Sequence, residues 1–285
     1  MPLIFAQIVH HPVSYGVGPL QFTGFGFAML LCFVIGQIIT QREMELRGQD
    51  GTAAGDMVFA AVIGGLLGAK IYYAILMQDP SSLWSRAGFV FWGGLIGGIL
   101  AVMWVVHRKK LGIARVSDSV AVALPASYAV GRTGCWAVGD DYGRPWDGPL
   151  SVVFPDGAPP STVANMSSMF GIRFPEGMSP NQLVAVHPTQ IYEVLMGAIM
   201  FAIVWKFRKS VHGHGWLFGL YCFLAGIERF IVEFFRAKDD RFFAAGLTAA
   251  QLIAIAFALF GAIWMFLRWY EKPGSPARPA ARRAA

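Results

Sequence analysis

Charged residues are scarce in this sequence. Asp, Glu, Lys and Arg make up 14% of its 285 residues, whereas soluble domains carry about 25%. This shortage excludes a disordered chain, a coiled coil and most soluble enzymes. Together with the 55% of apolar residues, it favours a membrane protein. The net charge of +6 would suggest a nucleic-acid partner in a soluble protein, but here we expect none, because basic residues set membrane orientation instead.

Cysteine is rare, and the N-terminal segment lacks basic residues. The three cysteines, Cys32, Cys135 and Cys222, are too few for a disulfide framework. A secretory signal peptide begins with a basic stretch, whereas the opening MPLIFAQIVHHPVSYGVGPL contains no Lys or Arg. We therefore expect the first apolar run to be an uncleaved membrane helix.

Long apolar runs are the dominant feature. A spanning helix needs about 20 mostly apolar residues, and seven segments qualify: 21–40, 57–77, 88–106, 116–134, 189–205, 215–235 and 248–267. The sequence thus predicts an all-α integral membrane protein with seven transmembrane helices, forming a single transmembrane domain over 1–285. Segment 139–188 holds eight of the sixteen prolines and is predicted to be a non-helical head domain. The basic tail 272–285 is predicted to be disordered.

Lys and Arg are unevenly distributed between the loops. With the N-terminus outside, the inside segments are 41–56, 107–115, 206–214 and the C-terminal tail, and they hold fourteen Lys and Arg against seven outside. Basic residues are enriched in cytoplasmic loops. We therefore predict that the N-terminus and the head lie outside and the C-terminus lies in the cytoplasm.

Polar residues within the predicted spans cluster at one depth. Charges inside membrane helices are costly and mark functional sites by default. Here they gather toward the outer ends of the helices, beside the glycine-rich start of the third helix. The cluster comprises Lys70, Arg132, His187, Gln190, Glu193, Arg229, Glu233 and Arg236.

Each member of this cluster also has a simpler structural interpretation. Arg229 and Glu233 could form an ion pair within one helix. Arg132 could merely extend to the lipid headgroups, and His187 could mark the start of a helix. The glycines of 93–98 could allow close helix packing. The functional interpretation therefore depends on the convergence of the residues.

The chemistry of the cluster suits a phosphate. Guanidinium groups offer paired donors to phosphate oxygens, and a cavity open to the outer leaflet suits a phospholipid. Carboxylates such as Glu233, Glu193 and Asp140 could orient the arginines, and His187 could transfer a proton. The glycine-punctuated stretch GRTGCWAVGDDYGRPWDG is predicted to be a loop leaving the fourth helix. We predict no metal site.

Five stretches together resemble the prolipoprotein diacylglyceryl transferases of bacterial inner membranes. They occur in the family's order and cover most of the chain. They are GPLQFTGFGFAML near the start, FWGGLIGG at 91–98, GRTGCWAVGDDYGRP at 131–145, HPTQIYE at 187–193 and ERFIVEFFR at 228–236. The resemblance implies seven transmembrane helices, a periplasmic N-terminus and a small periplasmic head.

The resemblance also implies an activity. Members transfer the diacylglyceryl group of phosphatidylglycerol to the lipobox cysteine thiol of a prolipoprotein signal peptide. The product is a thioether, glycerol-1-phosphate leaves, and no metal or soluble cofactor takes part. The alternatives are a divergent paralogue with another acceptor and a non-catalytic phospholipid-binding or transport protein. Transporters often contain internal repeats, and none is evident here.

The family's functional residues map onto this sequence with three departures. Its essential arginines correspond to Arg132 and Arg229, and its loop acid and loop glycine to Asp140 and Gly143. The supporting residues of the sixth span correspond to Glu233 and Arg236. Departures are Trp92 where the family has a general-base His, Thr23 where it has Tyr, and Cys135 where it has Asn. We expect His187 to serve as the base, with Glu193 and Asp140 as weaker candidates. We expect Trp92, Thr23, Cys135 and Gln190 to contact substrate.

Overall fold

The structure is a computed structural model, and it describes residues 8–17, 20–85, 88–209, 212–237 and 246–270. The predicted disordered tail therefore lies outside the described residues. So do Arg86, Lys238 and Arg241, which counted toward the predicted outer loops.

Seven long helices fall on the seven predicted segments, with ends shifted by a few residues. They are α1 Gly24–Leu46, α2 Ala53–Met77, α3 Phe91–Arg108, α4 Ile113–Val138, α6 Thr189–Phe207, α7 Trp216–Glu233 and α8 Ala249–Leu267, and the short α5 is Val163–Phe170. Within the described residues, α1, α2, α3, α6 and α8 are long and apolar enough to cross a membrane. The chain is thus a mainly helical, multi-pass membrane protein.

Two boundaries differ from the prediction in ways that affect the site. Helix α1 begins at Gly24, because the Thr23 hydroxyl accepts a hydrogen bond from the Gly26 amide at 3.1 Å and caps the helix. The preceding strand β3, Leu20–Thr23, pairs antiparallel with β2, Ser14–Val17. Helix α4 continues to Val138 and ends at a left-handed Gly139. The predicted loop therefore starts later than expected, and its first eight residues are helical.

The bundle has α4 at its centre, in contact with α1, α6 and α7, while α2 pairs with α3. A Cβ at Gly68 would lie 2.3 Å from the Gly93 carbonyl oxygen, and one at Gly97 would lie 2.3 Å from that of Gly64. The glycines of α3 therefore allow close contact with α2, which is the packing role that the sequence analysis suggested for them.

The prediction that 139–188 contains no helix was wrong, because α5 lies within it. The Thr162 hydroxyl caps α5 by accepting from the Asn165 amide at 3.3 Å. The N-terminal strand β1, Ile8–Val9, pairs parallel with β4, Val152–Val153. The segment has its own apolar core of Tyr142, Val152, Phe154, Val163, Met166, Val184 and Val186, joined by Ala237.

The helix ends form two separate clusters of charge. The site end contains the start of α6 and the ends of α4 and α7. The far end contains the end of α1, the start of α4 and the residues after α6. There, buried Glu43 pairs with Arg47 at 3.4 Å and with Arg208 at 3.3 Å. Arg47 donates to the Arg208 carbonyl at 3.0 Å, and Arg115 to the Arg47 carbonyl at 3.1 Å.

Candidate active site

Arg132 lies in the last turns of α4 and joins three elements. One Nη donates to Asp141 at 3.0 Å and to the Cys135 sulfur at 3.3 Å, and the other pairs with Glu193 of α6. The side chains of Arg132 and Glu193 are only 13% and 3% exposed. Arg132 is therefore held inside the bundle and does not merely extend to the headgroups.

Asp141 bridges two arginines that are far apart in sequence. Its carboxylate accepts from Arg132 and, at 3.3 Å, from Arg236. Burial raises the pKa of Asp141, but Arg236 and Arg132 outweigh this and hold it below its usual value. The Thr189 hydroxyl donates to the Asp141 carbonyl at 2.7 Å and fixes the loop.

Gly143 brings the loop against the end of α7. It forms an antiparallel bridge with Arg236, and its amide donates to the His187 carbonyl at 2.9 Å. A Cβ here would lie 2.4 Å from the Phe235 carbonyl oxygen. Only glycine allows this approach, so the mapped loop glycine has a clear steric role.

The α7 residues extend the network. Arg229 pairs with Glu233 one turn later, so the intrahelical pair does form. Glu233 also accepts from the Thr248 hydroxyl at 3.2 Å and lies 3.9 Å from Arg236. The pair is therefore not isolated. A continuous series runs from Arg132 through Asp141, Arg236 and Glu233 to Arg229.

Tyr128 and Glu228 join the network and were not predicted from the sequence. The Tyr128 hydroxyl lies 2.9 Å from Glu228 and 3.2 Å from Glu193. Two features of the sequence could have indicated these residues, namely their spacing and the composition of the helix. Tyr128 precedes Arg132 by one helical turn, and Glu228 is a third charged residue in an otherwise apolar helix.

Asp140 forms no ion pair with the arginines among the described residues, although it was expected to orient them. Among the described residues, Asp141 rather than Asp140 forms the ion pairs with the arginines. Burial raises the pKa of Asp140, and its Oδ1 has no hydrogen-bond partner. Gln190 is fully buried and donates to the Asp140 carbonyl at 2.6 Å. Among the described residues, Asp141 thus forms the ion pairs expected of Asp140, and a role for Asp140 stays a prediction.

Cys135, Asp140 and Asp141 offer three ligand atoms within 4.8 Å of one another. Arg132 already donates to Cys135 and Asp141. Its positive charge opposes a metal ion in this position. The cluster therefore suits the guanidinium that it holds better than a metal.

His187 lies beside the network but faces an apolar groove of about 390 Å³. Its ring stacks on Trp146 with centroids 4.3 Å apart, and its Nδ1 lies 3.2 Å from the Tyr192 hydroxyl. Burial lowers the pKa of His187. The groove is lined by Trp146, His187, Tyr192, Met196, Ile231, Val232 and Phe235.

Two predicted site residues form no hydrogen bond with the arginines within the described residues. Trp92 is 47% exposed, and its ring contacts Phe91 edge-on at 5.6 Å. In the part of the chain that the structure describes, no hydrogen bond links Trp92 to the arginine network. The Thr23 hydroxyl is engaged in capping α1. The structure thus joins Arg132, Arg229, Glu233 and Arg236 but not these two.

Comparison with known proteins agrees with this geometry. A family model described as prolipoprotein diacylglyceryl transferase matches residues 12–267. The chain belongs to the prolipoprotein diacylglyceryl transferase family. The resemblance noted from the motifs is thereby confirmed, and the match spans the helices that carry the arginine network.

Several relatives within the family are named phosphatidylglycerol–prolipoprotein diacylglyceryl transferase. One from Nitratidesulfovibrio vulgaris strain Miyazaki F is 33% identical over 286 residues, covering 95% of this chain and 97% of the relative. One from Geobacter sulfurreducens is 31% identical over 88% of this chain and 92% of the relative. One from Bordetella parapertussis is 30% identical with the same coverage, 88% and 92%.

Proposed function

We propose that this chain transfers the diacylglyceryl group of phosphatidylglycerol to the lipobox cysteine thiol of prolipoproteins. The thiol sulfur forms a bond to the glyceryl carbon as the carbon–oxygen bond to phosphate breaks. Glycerol-1-phosphate leaves, taking the electron pair of that bond. The observation that carries this proposal is the arginine–carboxylate network at one end of a membrane bundle of this family.

Arg229 and Arg132 are the proposed phosphate clamp. A guanidinium has five N–H donors, and among the described residues the side chain of Arg229 bonds only to Glu233. Its side chain is 34% exposed, the most of the three network arginines, so donors remain for a phosphate. Asp141 and Glu193 hold Arg132 in one orientation, and preorganised donors stabilise the charge that develops on the leaving group. Arg236 supports the clamp through Asp141.

The thiol must lose its proton, because the thiolate is the nucleophile. Trp92 cannot accept it, since an indole has no basic lone pair. His187 is the proposed acceptor. Its lowered pKa keeps the imidazole neutral near neutral pH, and its backbone bonds to Gly143 on the same loop as Asp141. The thiol proton then moves to the imidazole.

The proposed topology has seven spans, including α4 and α7, whose charged residues face other helices of the bundle. The N-terminus and the 139–188 head are periplasmic, the 272–285 tail is cytoplasmic, and the protein is in the bacterial inner membrane. Cysteines introduced near Pro159 should react with an impermeant thiol reagent in intact cells. Cysteines introduced at 108–110 should react only after permeabilisation, and the reverse pattern would contradict the proposal.

Two experiments test the reaction. The gene should restore growth to bacteria depleted of their own diacylglyceryl transferase. The purified protein should transfer radiolabel from phosphatidylglycerol, labelled in its acyl chains, to a lipobox peptide, and not to the same peptide with the cysteine replaced by serine. Failure of both, with lipid still bound, would favour the phospholipid-binding alternative. Transfer to a different acceptor would favour the paralogue.

A further inference from the structure

The Tyr128 hydroxyl lies between two buried carboxyl groups. Its oxygen is 2.9 Å from Glu228 Oε1 and 3.2 Å from Glu193 Oε1. Glu193 is 3% and Glu228 5% exposed. The three groups come from α4, α6 and α7, so the contact is made where these helices meet.

The number of protons in this contact is constrained. A phenol has one O–H and can donate to only one of the two carboxyl groups. The other oxygen of Glu193 pairs with Arg132, so Glu193 is ionised. Within the described residues, Glu228 has Tyr128 as its side-chain partner and no ion pair. A second anion here would leave two negative charges sharing one donor in a poorly solvated interior, which is unfavourable.

No cation among the described residues forms an ion pair with Glu228. Helix α8 packs against α7 but has no titratable residue between Ala249 and Leu267. Helix α6 contributes the Glu193 carboxylate, α4 contributes Arg132, and α7 itself contributes Arg229. The two arginines already pair with Glu193 and Glu233. The titratable groups that face Glu228 are Tyr128 and Arg132 from α4, Glu193 from α6, and Arg229 and Tyr221 from α7.

We propose that Glu228 carries a proton and acts as a positioning residue for Arg132. Its carboxyl O–H donates to the Tyr128 oxygen, and the Tyr128 O–H donates to Glu193. Glu193 is thereby fixed where it orients the Arg132 guanidinium. This inference rests on the proposed function, in which Arg132 binds the phosphate of the lipid substrate.

The test uses the purified full chain and the peptide transfer assay. Glu228→Gln keeps a neutral donor at this position and should retain kcat within about twofold. Glu228→Leu and Tyr128→Phe remove the relay and should lower kcat about tenfold, the typical effect of one lost hydrogen bond to a charged group. Tyr221→Phe removes a neighbouring phenol hydroxyl from α7 and should leave kcat unchanged. Parent activity should also fall at high pH as Glu228 ionises, and this fall should be absent in Glu228→Gln.

The outcomes separate the two proposals. An inactive parent contradicts the proposed function. An active parent with normal kcat in Glu228→Leu, or with Glu228→Gln as impaired as Glu228→Leu, overturns the positioning role. The proton is also tested without transfer, by infrared spectroscopy. The carbonyl band of a protonated carboxylic acid should be present in the parent and reduced in Glu228→Gln, and an unchanged band would overturn the proton assignment.

Discussion

The two ends of the bundle use the same residue types with different partners. At the far end, Arg47 and Arg115 donate to backbone carbonyls at or beyond helix ends. At the site end, Arg132 and Arg236 bind the Asp141 carboxylate, whose side chain is 43% exposed. Backbone carbonyls at helix C-termini need donors, so the far-end arginines complete the fold. The site-end arginines instead keep paired charges within reach of solvent and substrate.

Asp118 and Asp141 differ between the ends in the same way, although Glu43 at the far end also pairs with arginines. At the far end, Asp118 accepts from the Gly215 amide at 2.7 Å and the Phe218 amide at 3.1 Å. It therefore caps the start of α7, where a helix dipole favours negative charge. At the site end, Asp141 and Glu233 accept from arginine side chains. For these two aspartates, the partner rather than the residue type distinguishes a helix cap from a link between arginines.

The largest expected effect is on the arginines. Arg132→Ala and Arg229→Ala should lower kcat for transfer on the order of 10²–10³-fold, the effect of removing a transition-state donor. Lysine should also fail at these positions, because it lacks the planar pair of donors. Arg208→Lys is the matched control at the far end. It should lower the thermal unfolding midpoint and leave transfer by the folded protein unchanged. Near-normal transfer by folded Arg132→Ala and Arg229→Ala would contradict the clamp.

A histidine ring in close contact with a tryptophan ring occurs at both ends, which allows a second matched pair of variants. His187→Gln should lower the transfer rate about 10²-fold, as expected for loss of a general base. Because burial lowers the pKa of His187 below 6.5, the fall of parent activity on the acidic side should come only when the pH drops through that lowered value. This acidic fall should disappear in His187→Gln. At the far end the His212 ring lies 4.3 Å from the Trp216 ring, tilted by 34°, and His212→Gln should keep the parent pH profile. Parent-like activity in His187→Gln would eliminate it as the base.

The aspartates should separate activity from stability. Asp141→Asn weakens the bridge between Arg132 and Arg236 and should lower kcat about tenfold. Asp118→Asn weakens the cap of α7 and should cost about 1 kcal/mol of stability, with transfer by the folded protein retained. Transfer assays and thermal melting by circular dichroism measure the two effects. Equal losses of activity in both variants would abolish the distinction between the ends.

The smallest effect is expected at the tryptophans of α3. Trp92→Ala should raise the KM for phosphatidylglycerol about two- to tenfold through lost aromatic contact with lipid, with little change in kcat. Trp104, on the same helix toward the far end, is 62% exposed, and Trp104→Ala should leave KM unchanged. If the parent shows no transfer while Trp92→His transfers strongly, the chain has lost the family reaction.

The sequence by itself determined the long helices and the family. Apolar runs of spanning length leave few alternatives, because a lipid-facing backbone must satisfy its own hydrogen bonds. The motifs around Arg132, Arg229, Glu233 and Arg236 identified the residues that the structure joins. Arg229 and Glu233 are spaced i, i+4, which predicted their pairing on one helix face, whereas Arg236 lies beyond the end of α7.

Only the tertiary structure decided which partner each charge takes. Asp140 and Asp141 are adjacent in sequence, yet the left-handed backbone of Asp141, with φ of 53°, accompanies the pairing of its carboxylate with the arginines. Tyr128 and Glu228 meet across 100 residues, whereas no hydrogen bond among the described residues links Trp92 to the network. Such contacts depend on the rotation and depth at which helices pack, and a periodic apolar pattern fixes the buried face of a helix but not the residue that it meets.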